Sequence, residues 1–191
     1  GVGFLPDGRS LGTDQVRPGD KVLVNGTLGD HGIAVMARRE GLDLGADLES
    51  DVAPLNGMIE RVFEVAPGVR FMRDVTRGGL AAVANEVVLR RPWGVRVFDV
   101  AVPIHDIVDQ YSEMLGIDPL LAANEGKVLM IVPPEQTDAA LGAMKAHPYG
   151  REAAVIGDVV VKPEGVALVE TAYGSRRVLE MPIEEQLPRI C

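Results

Sequence analysis

The sequence predicts an α/β protein of the α+β type, in which helices cover a mixed β-sheet. Two observations lead to this class. Segments with the apolar spacing of helices alternate along the chain with short apolar strands, and clusters rich in glycine or proline separate them. In addition, 47% of the 191 residues are hydrophobic, which is enough for a substantial core.

The first five elements follow from apolar spacing and from the residues that end each segment. Residues 21–24 form a short buried strand that runs into a glycine-rich segment, and residues 33–40 have helical spacing. One apolar stripe predicts a helix over 55–66, which a Pro-Gly pair ends, and 69–72 is a strand. The helix over 80–88 is followed by two arginines and a proline, which suit a helix C-terminus.

The remaining elements continue the alternation. Residues 95–102 form an apolar strand, and the helix over 104–115 is stopped by a glycine. Residues 127–132 are a fully apolar strand, and the Pro-Pro-Glu that follows predicts the start of a helix over 133–145. Three strands separated by turns complete the sheet, at residues 153–161, 166–169 and 177–181.

Composition divides the chain into three parts. Residues 15–180 form one domain, in which we find no repeat and no low-complexity tract. Residues 1–14 are interpreted as the remnant of an interdomain segment, because the chain starts without methionine or signal peptide, as a fragment of a longer protein would. Residues 181–191 contain two prolines and no sustained period, which predicts an extended, mobile tail that carries a terminal cysteine.

Charge and cysteine content exclude several classes of protein. The 19 basic and 28 acidic residues give a net charge of −9 without a basic stripe, so the sequence argues against nucleic acid and acidic membranes as partners. No run approaches the roughly 18 to 20 apolar residues of a transmembrane helix. The single cysteine rules out an internal disulfide, and the three scattered histidines have no metal-ligand spacing, so no metal site is predicted. A reduced, cytoplasmic protein is expected.

The first candidate site is the loop from Asp74 to Gly79, between a predicted strand and a predicted helix. Backbone N–H groups and the positive end of the helix converge there, which suits an anion. Arg77 could add a bidentate contact to a phosphate. The alternative is a tight strand-to-helix turn in which Thr76 caps the helix.

A second glycine-rich loop spans residues 26–32, with glycines at every third position. It matches neither the dinucleotide-binding fingerprint nor a P-loop, so we interpret its glycines as turn residues that let a helix pack closely. His31 in this loop is more simply explained as a hydrogen-bonding structural residue than as a catalyst. His105 and His147 lie at predicted helix ends and have structural explanations.

Two further residues have chemistry to offer. Glu125 precedes the apolar strand at 127–132 and could serve as a general base, although it could equally pair with Lys127 or cap a turn. Cys191 is the lone thiol, placed at the end of a proline-stiffened tail. Such a thiol could reach into a pocket, carry a group and swing to a partner, with the thiolate as nucleophile. The alternative is an incidental exposed thiol.

Taken together, five segments resemble the hydrogenase maturation factor HypE family, in order and over essentially the whole chain. They are GDHGIA at 29–34, APLNG at 53–57, MRDVTRGGL at 72–80, LAANEGK at 121–127 and the highly specific ending LPRIC at 187–191. The resemblance places the chain in the superfamily of aminoimidazole ribonucleotide synthetase (PurM), selenophosphate synthetase and thiamine-phosphate kinase. It implies a PurM-like C-terminal domain with an extended tail.

The resemblance also implies a reaction. In that family the carbamoyltransferase HypF carbamoylates the C-terminal cysteine, and ATP-dependent dehydration then yields a thiocyanate. The cyano group passes to a HypC–HypD complex and becomes a cyanide ligand of the [NiFe]-hydrogenase iron. By this resemblance Cys191 is the carrier, Glu125 the proton-abstracting base and His31 a polar residue that faces the nucleotide. The implied phosphate site consists of Asp74, Thr76, Arg77, Gly78 and Gly79.

The implied cofactor is ATP with Mg, bound mainly by an N-terminal domain that the family carries and this sequence lacks. A homodimer is expected for the full-length protein. Two alternatives stay open at this point. One is another ATP-dependent synthetase of the same superfamily, and the other is a non-enzymatic module that accepts the carbamoyl group and docks partner proteins.

Overall fold

The computed structural model describes residues 8–41 and 48–182, so the tail beyond residue 182, with Cys191, lies outside the described residues. Within them, strands and helices follow the predicted order. The strands are β1 (Lys21–Val24), β2 (Phe71–Asp74), β3 (Gly94–Phe98), β4 (Val128–Val132), β5 (Ala154–Val160), β6 (Ala167–Glu170) and β7 (Arg176–Val178). The α-helices are α1 (Asp30–Glu40), α2 (Asn56–Val65), α3 (Gly79–Val88), α4 (Asp106–Leu115) and α5 (Thr137–Lys145). Among these helices none is long and apolar enough to cross a membrane.

All seven described strands belong to one sheet, in the order β2-β4-β1-β5-β3-β6-β7. Neighbouring strands are antiparallel, except that β3 and β6 run parallel. The predicted mixed sheet is therefore confirmed. Strand β1, the first along the chain, lies between β4 and β5, and so the start of the domain is paired with its later half.

Helices cover the sheet on both faces. Strand β1 directs Val22 and Val24 into a core that includes the apolar face of α3, while Leu23 points into a second core with α2 and α5. Strand β4 divides its five buried residues between the same two cores. A strand buried on both faces has no polar side, which explains the uninterrupted apolar run in its sequence.

Several element boundaries differ from the prediction, each for a local reason. Helix α1 starts three residues earlier than predicted, because Gly29 adopts a left-handed φ of 91° and caps it. Strand β2 starts at Phe71 rather than at residue 69, since the backbone N–H of Val69 still closes the turn after α2 by donating to Ala66. Strand β3 ends at Phe98, where a short 3-10 helix over Asp99–Ala101 replaces the predicted extension.

The sheet pairing brings four chain segments to one end of the sheet. Val24 at the end of β1 lies opposite Leu129 near the start of β4 and opposite Ala154 at the start of β5. Asp74 at the end of β2 lies opposite Val128. Consequently the loops after β1 and β2 meet the segments that lead into β4 and β5. Both glycine-rich loops and Glu125 lie in these segments.

Gly157 in β5 provides a test of how closely the strands approach. A Cβ at this position would lie 2.2 Å from the carbonyl oxygen of Arg96 on the neighbouring strand, and the backbone there cannot move aside. We expect Gly157→Ala to lower the free energy of unfolding by about 3 kcal/mol. Gly142→Ala is the control, because nothing lies within 4 Å of its added Cβ, and in helix α5 it should add about 0.5 to 1 kcal/mol. Urea unfolding of the two variants measures both values, and equal effects would contradict the proposed crowding.

Candidate functional site

The buried side chain of Asn124 joins the loops at this end of the sheet. Its Oδ1 accepts a hydrogen bond from the backbone N–H of Gly29 at 2.9 Å. Its Nδ2 donates to the carbonyl oxygens of Val75 at 3.0 Å and Ala122 at 3.1 Å. Asn124 has no exposed surface, so each of these bonds replaces one to water. The loop after β1, the loop after β2 and the segment before β4 are thereby held as one unit.

Glu125 follows directly and is held by its backbone rather than by its side chain. Its N–H donates to Oδ1 of Asp51 at 2.9 Å. Its carboxylate oxygen Oε1 lies 4.0 Å from Nε2 of His31, and 31% of the side chain is exposed. The backbone of Glu125 is therefore fixed, while its carboxylate stays accessible to a substrate, as a general base requires.

His31 lies in the first turn of helix α1, with only 9% of its side chain exposed. Nδ1 is 2.7 Å from the hydroxyl oxygen of Ser50. Nε2 is buried, and it has no hydrogen-bond partner among the described residues. The structure thus gives His31 the structural contact expected of it, and in addition it turns the second ring nitrogen toward Glu125.

Lys127 is nearly buried, with 12% of its side chain exposed, and it pairs with two buried carboxylates. Its Nζ lies 3.4 Å from Asp51 and 3.8 Å from Asp30. Asp30 also accepts hydrogen bonds from the hydroxyl of Thr27 and from Nδ1 of His105, the latter at 2.9 Å. The alternative in which Lys127 pairs with Glu125 is therefore wrong. Instead Lys127 neutralises the carboxylate that holds the Glu125 backbone.

In the loop from Asp74 to Gly79, helix α3 is not capped by Thr76 as the alternative predicts. Gly78, with a φ of 72°, caps α3, so Thr76 is not the cap. The Thr76 hydroxyl donates to the Asp74 carboxylate instead, and the carbonyl of Thr76 accepts the N–H of Gly79 at 3.1 Å. Arg77 is exposed. The link from this loop to Glu125 runs through backbone atoms of Val75 and the side chain of Asn124.

Gly79 explains why this loop requires glycine. Its φ is 60°, and a Cβ there would lie 2.6 Å from the carbonyl oxygens of Leu120 and Ala122. The loop consequently packs directly on the segment that leads to Glu125.

The last described residues lie against the same loop. A Cβ on Gly78 would be 3.3 Å from Cγ of Pro182. The buried Leu179 accepts a hydrogen bond from Nδ2 of Asn85 on helix α3 at 2.7 Å, which anchors the chain just before this contact. The tail that carries Cys191 therefore begins beside the Asp74–Gly79 loop.

The structural interpretation of the other glycine-rich loop is confirmed at Gly29. A Cβ there would lie 2.8 Å from Cγ1 of Val108, so the missing side chain lets α1 and α4 pack closely. The structural explanations of the other two histidines hold as well. His105 occupies the N-cap position of α4 and contacts Asp30 through Nδ1, and the side chain of His147 caps the short 3-10 helix over Pro148–Gly150.

A polar pocket of about 410 Å³ opens at this end of the sheet. Its lining includes Gly126, Asp51 and Lys127, together with the exposed residues Val52 and Tyr149. The pocket thus lies directly beside the residue that follows Glu125.

Shifted pKa values occur away from this site, where β3, β5, β6 and β7 meet. A hydrogen bond to Asp158 raises the pKa of Arg96 above its usual value. A hydrogen bond from Arg176, together with the charge of Arg96, lowers the pKa of Glu170. We interpret these groups as a structural charge cluster that ties the strands together.

The sequence interpretation missed the residues that support the site. Ser50 and Asp51 come from a segment without apolar periodicity, and Asp30 was counted only as part of a glycine loop. Asn124 and Lys127 were noted only as neighbours of Glu125. The sequence hardly indicates these residues, because their partners lie far away along the chain. The run Asn-Glu-Gly-Lys before a buried strand does, however, indicate a polar cluster.

Residues 17–170 match the family model for AIR synthase related protein, C-terminal domain. The carbamoyl dehydratase HypE of Azotobacter vinelandii is 44% identical over 191 residues, which is 100% of this chain and 56% of that protein. The chain therefore spans little more than half the length of the curated relatives it matches.

Solved structures agree with this likeness. A crystal structure of the hydrogenase maturation protein HypE in complex with ATP has a TM-score of 0.87 and 41% identity, covering 95% of this chain and 55% of that one. The crystal structure of a HypE–HypF complex gives a TM-score of 0.85 and 39% identity, covering 90% of this chain and 56% of the other.

Replacement of Asn124 tests whether its amide holds the loops together. Asn124→Asp keeps the shape but removes both donor hydrogens and buries a charge beside two carbonyl oxygens, so we expect a loss of about 3 kcal/mol in the free energy of unfolding. Asn85→Asp is the matched control, since Asn85 also donates to two carbonyls but is only part-buried, and it should lose about 1 kcal/mol. Urea denaturation compares the two. Equal losses in the free energy of unfolding would show that the deeper burial of Asn124 does not increase the cost of the substitution.

Proposed function

The chain belongs to the family of AIR synthase related proteins, and we propose that it forms the C-terminal part of an ATP-dependent carbamoyl dehydratase. This enzyme would convert an S-carbamoyl group on Cys191 to a thiocyanate, the source of the cyanide ligands in [NiFe]-hydrogenase maturation. One observation carries the proposal. Glu125 presents a partly exposed carboxylate, and Asp51 holds its backbone N–H. The neighbouring Asn124 joins this segment to the Asp74–Gly79 loop.

The reaction has two demands. The carbamoyl oxygen is a poor leaving group, so the terminal phosphoryl group of ATP is first transferred to it, with release of ADP and of one nitrogen proton. The remaining N–H proton is then taken by a base while the C–O bond breaks and phosphate departs. The electrons of the broken N–H bond form the third bond between carbon and nitrogen, while those of the C–O bond leave with the phosphate, so a cyano group remains on sulfur.

Glu125 is proposed as the base that takes the last proton. Its position supports this role, since the carboxylate is partly exposed in the segment that leads into β4. Among the described residues no lysine or arginine is paired with it. Water must be kept out while the activated intermediate exists, because hydrolysis would destroy it.

The Asp74–Gly79 loop is proposed to contact the phosphate groups. Helix α3 begins there at Gly79, so its positive end and the exposed Arg77 suit an anion. Asp74 and Thr76, bonded to each other, form the polar rim of this loop. Following the family resemblance, we propose that Mg and most of ATP are bound by the part of the longer relatives that this chain does not cover.

The tail has the length that the proposal needs. Nine residues, 183 to 191, follow Pro182. Fully extended, they span at most about 30 Å, which is the width of a small domain. Because Pro182 packs on Gly78, Cys191 could reach the neighbourhood of both the phosphate loop and Glu125.

The proposed partners follow from the same chemistry. HypF would load the carbamoyl group, and a HypC–HypD complex would take the cyano group. The HypE–HypF complex among the solved structures supports the first partnership. We further propose a homodimer for the full-length protein and a cytoplasmic location, since a carrier thiol has to stay reduced.

A second candidate is favoured by the length of the chain. Because it spans only 56% of its curated relative, the 191 residues by themselves could act as a carbamoyl acceptor and docking module without dehydratase activity. The two candidates differ in whether the carbamoyl group on Cys191 is changed further.

Intact mass measurement separates them. After incubation with the carbamoyltransferase, carbamoyl phosphate and ATP, we expect this chain to gain one carbamoyl group on Cys191, located by peptide mapping. A full-length protein that contains the sequence is expected to carry a cyano group instead. The control Cys191→Ala should stay unmodified. A full-length protein without any adduct would contradict the proposed function, and a cyano group on the 191-residue chain would show that the rest is dispensable.

Glu125→Gln tests the base. In the full-length protein we expect carbamoylation to be unchanged and conversion to the cyano form to fall about a hundredfold or more, because the amide cannot accept the proton. Arg77→Ala should instead weaken ATP binding, measured by calorimetry. Glu60→Gln, an exposed residue of α2, is the matched control and should behave as wild type. Normal conversion by Glu125→Gln would disprove the assignment of the base.

A further inference from the structure

The dipeptide Ser50-Asp51 contacts both members of the pair formed by His31 and Glu125. The Ser50 hydroxyl oxygen lies 2.7 Å from Nδ1 of His31. The next residue, Asp51, accepts the backbone N–H of Glu125 at 2.9 Å. One short segment therefore sets the position of the imidazole and of the glutamate at the same time, and we refer to these two residues as the Ser50–Asp51 clamp.

The second nitrogen of His31 is the unusual feature of this arrangement. Nε2 is buried and has no hydrogen-bond partner among the described residues, which is a costly state for a polar atom. Oε1 of Glu125 lies 4.0 Å away. An approach of about 1 Å would bring the two atoms to hydrogen-bonding distance.

We propose that His31 is a positioning residue for Glu125, an inference that rests on the proposed function. The Ser50 hydroxyl donates to Nδ1, so the proton of the neutral ring is on Nε2. The Nε2–H then donates to Oε1 of Glu125 when the site closes around its substrate. With one carboxylate oxygen held in this way, the other oxygen is directed at the nitrogen proton of the carbamoyl group.

This role differs from the nucleotide contact that the family resemblance implies for His31. The side chain is about nine-tenths buried, and its free nitrogen is turned to Glu125. The surrounding charges favour the same arrangement. Asp30 and Asp51 are paired with Lys127, and His105 lies against Asp30, whereas the Glu125 carboxylate lies 4.0 Å from Nε2. A change at His31 should therefore affect the chemical step and leave nucleotide affinity intact.

The ring tautomer can be measured without any reaction. The chain has three histidines, and ¹⁵N NMR of their rings above the ordinary histidine pKa of about 6.5 distinguishes protonated Nδ1 from protonated Nε2. Two of them are internal references. His105 faces the Asp30 carboxylate with Nδ1, which requires a proton there, whereas Nδ1 of His147 accepts the N–H of Tyr149. His31→Gln identifies the third signal by its loss.

We expect His31 to be protonated at Nε2, and Ser50→Ala to populate both tautomers. A proton on Nδ1 of His31 in the wild-type chain would overturn the proposal, whatever the activity of the full-length protein. An unchanged tautomer in Ser50→Ala would equally overturn the role of the clamp.

Single-turnover conversion of the carbamoylated full-length protein tests the catalytic consequence. At saturating ATP we expect His31→Leu to slow cyano formation about a hundredfold, because a misplaced base loses that much, while the Kd for ATP stays within about twofold. His31→Gln, whose amide can donate from a similar position, should be about tenfold faster than His31→Leu, which is about a tenth of the wild-type rate. His147→Gln is the control and should match wild type.

The outcomes distinguish a failure of the proposed function from a failure of the positioning role of His31. If wild-type protein forms no cyano group at all, the proposed function fails, and the tautomer result still reports on the clamp. If the wild type is active and His31→Leu keeps its rate, the positioning role is disproved while the function stands. If His31→Leu and His31→Gln both raise the Kd for ATP strongly, His31 is a nucleotide ligand instead.

Discussion

Strand β4 is buried on both faces, and the rest of the structure depends on this constraint. Its five residues are divided between the two cores, so no position along the strand can carry a polar side chain. Polar groups are therefore confined to the segment that leads into it. Because β1 and β2 run antiparallel to β4, the loops that follow these two strands begin at the end of the sheet where β4 starts. The location of the site is in this sense a consequence of core packing.

The loops that meet there are held by buried polar contacts instead of apolar packing. Asn124 uses its side-chain oxygen and both donor hydrogens of its amide, and Lys127 balances the charge of Asp30 and Asp51. Networks of this kind contribute little net stability, but they are sensitive to geometry, because any lost partner leaves a desolvated group. Such a network suits a site whose parts come from distant segments and have to stay in register.

The order of strands and helices could be predicted because it depends on local spacing of apolar residues. Boundaries were less predictable where a distant contact matters, as at Gly29, which starts α1 with a left-handed φ and whose missing side chain leaves room for Val108. The same division applies to the site. Glu125 and the Asp74–Gly79 loop could be proposed from motifs, whereas Ser50 and Asp51 could not, since their importance arises from contacts with residues 19 and 74 positions away. Contacts between residues so far apart along the chain leave no recognisable motif in the sequence.

In the proposed reaction, the contact between Pro182 and Gly78 limits how far the carrier thiol can travel from the Asp74–Gly79 loop. Nine residues attached at that point keep the thiol within roughly 30 Å of it, because a fully extended residue spans at most about 3.6 Å. A thiol confined to so small a volume is present at an effective concentration in the millimolar range. The domain therefore needs almost no intrinsic affinity for the group that the thiol carries. An acceptor protein, in turn, has to compete with an intramolecular encounter, and so its own affinity for the tail sets how often the group leaves.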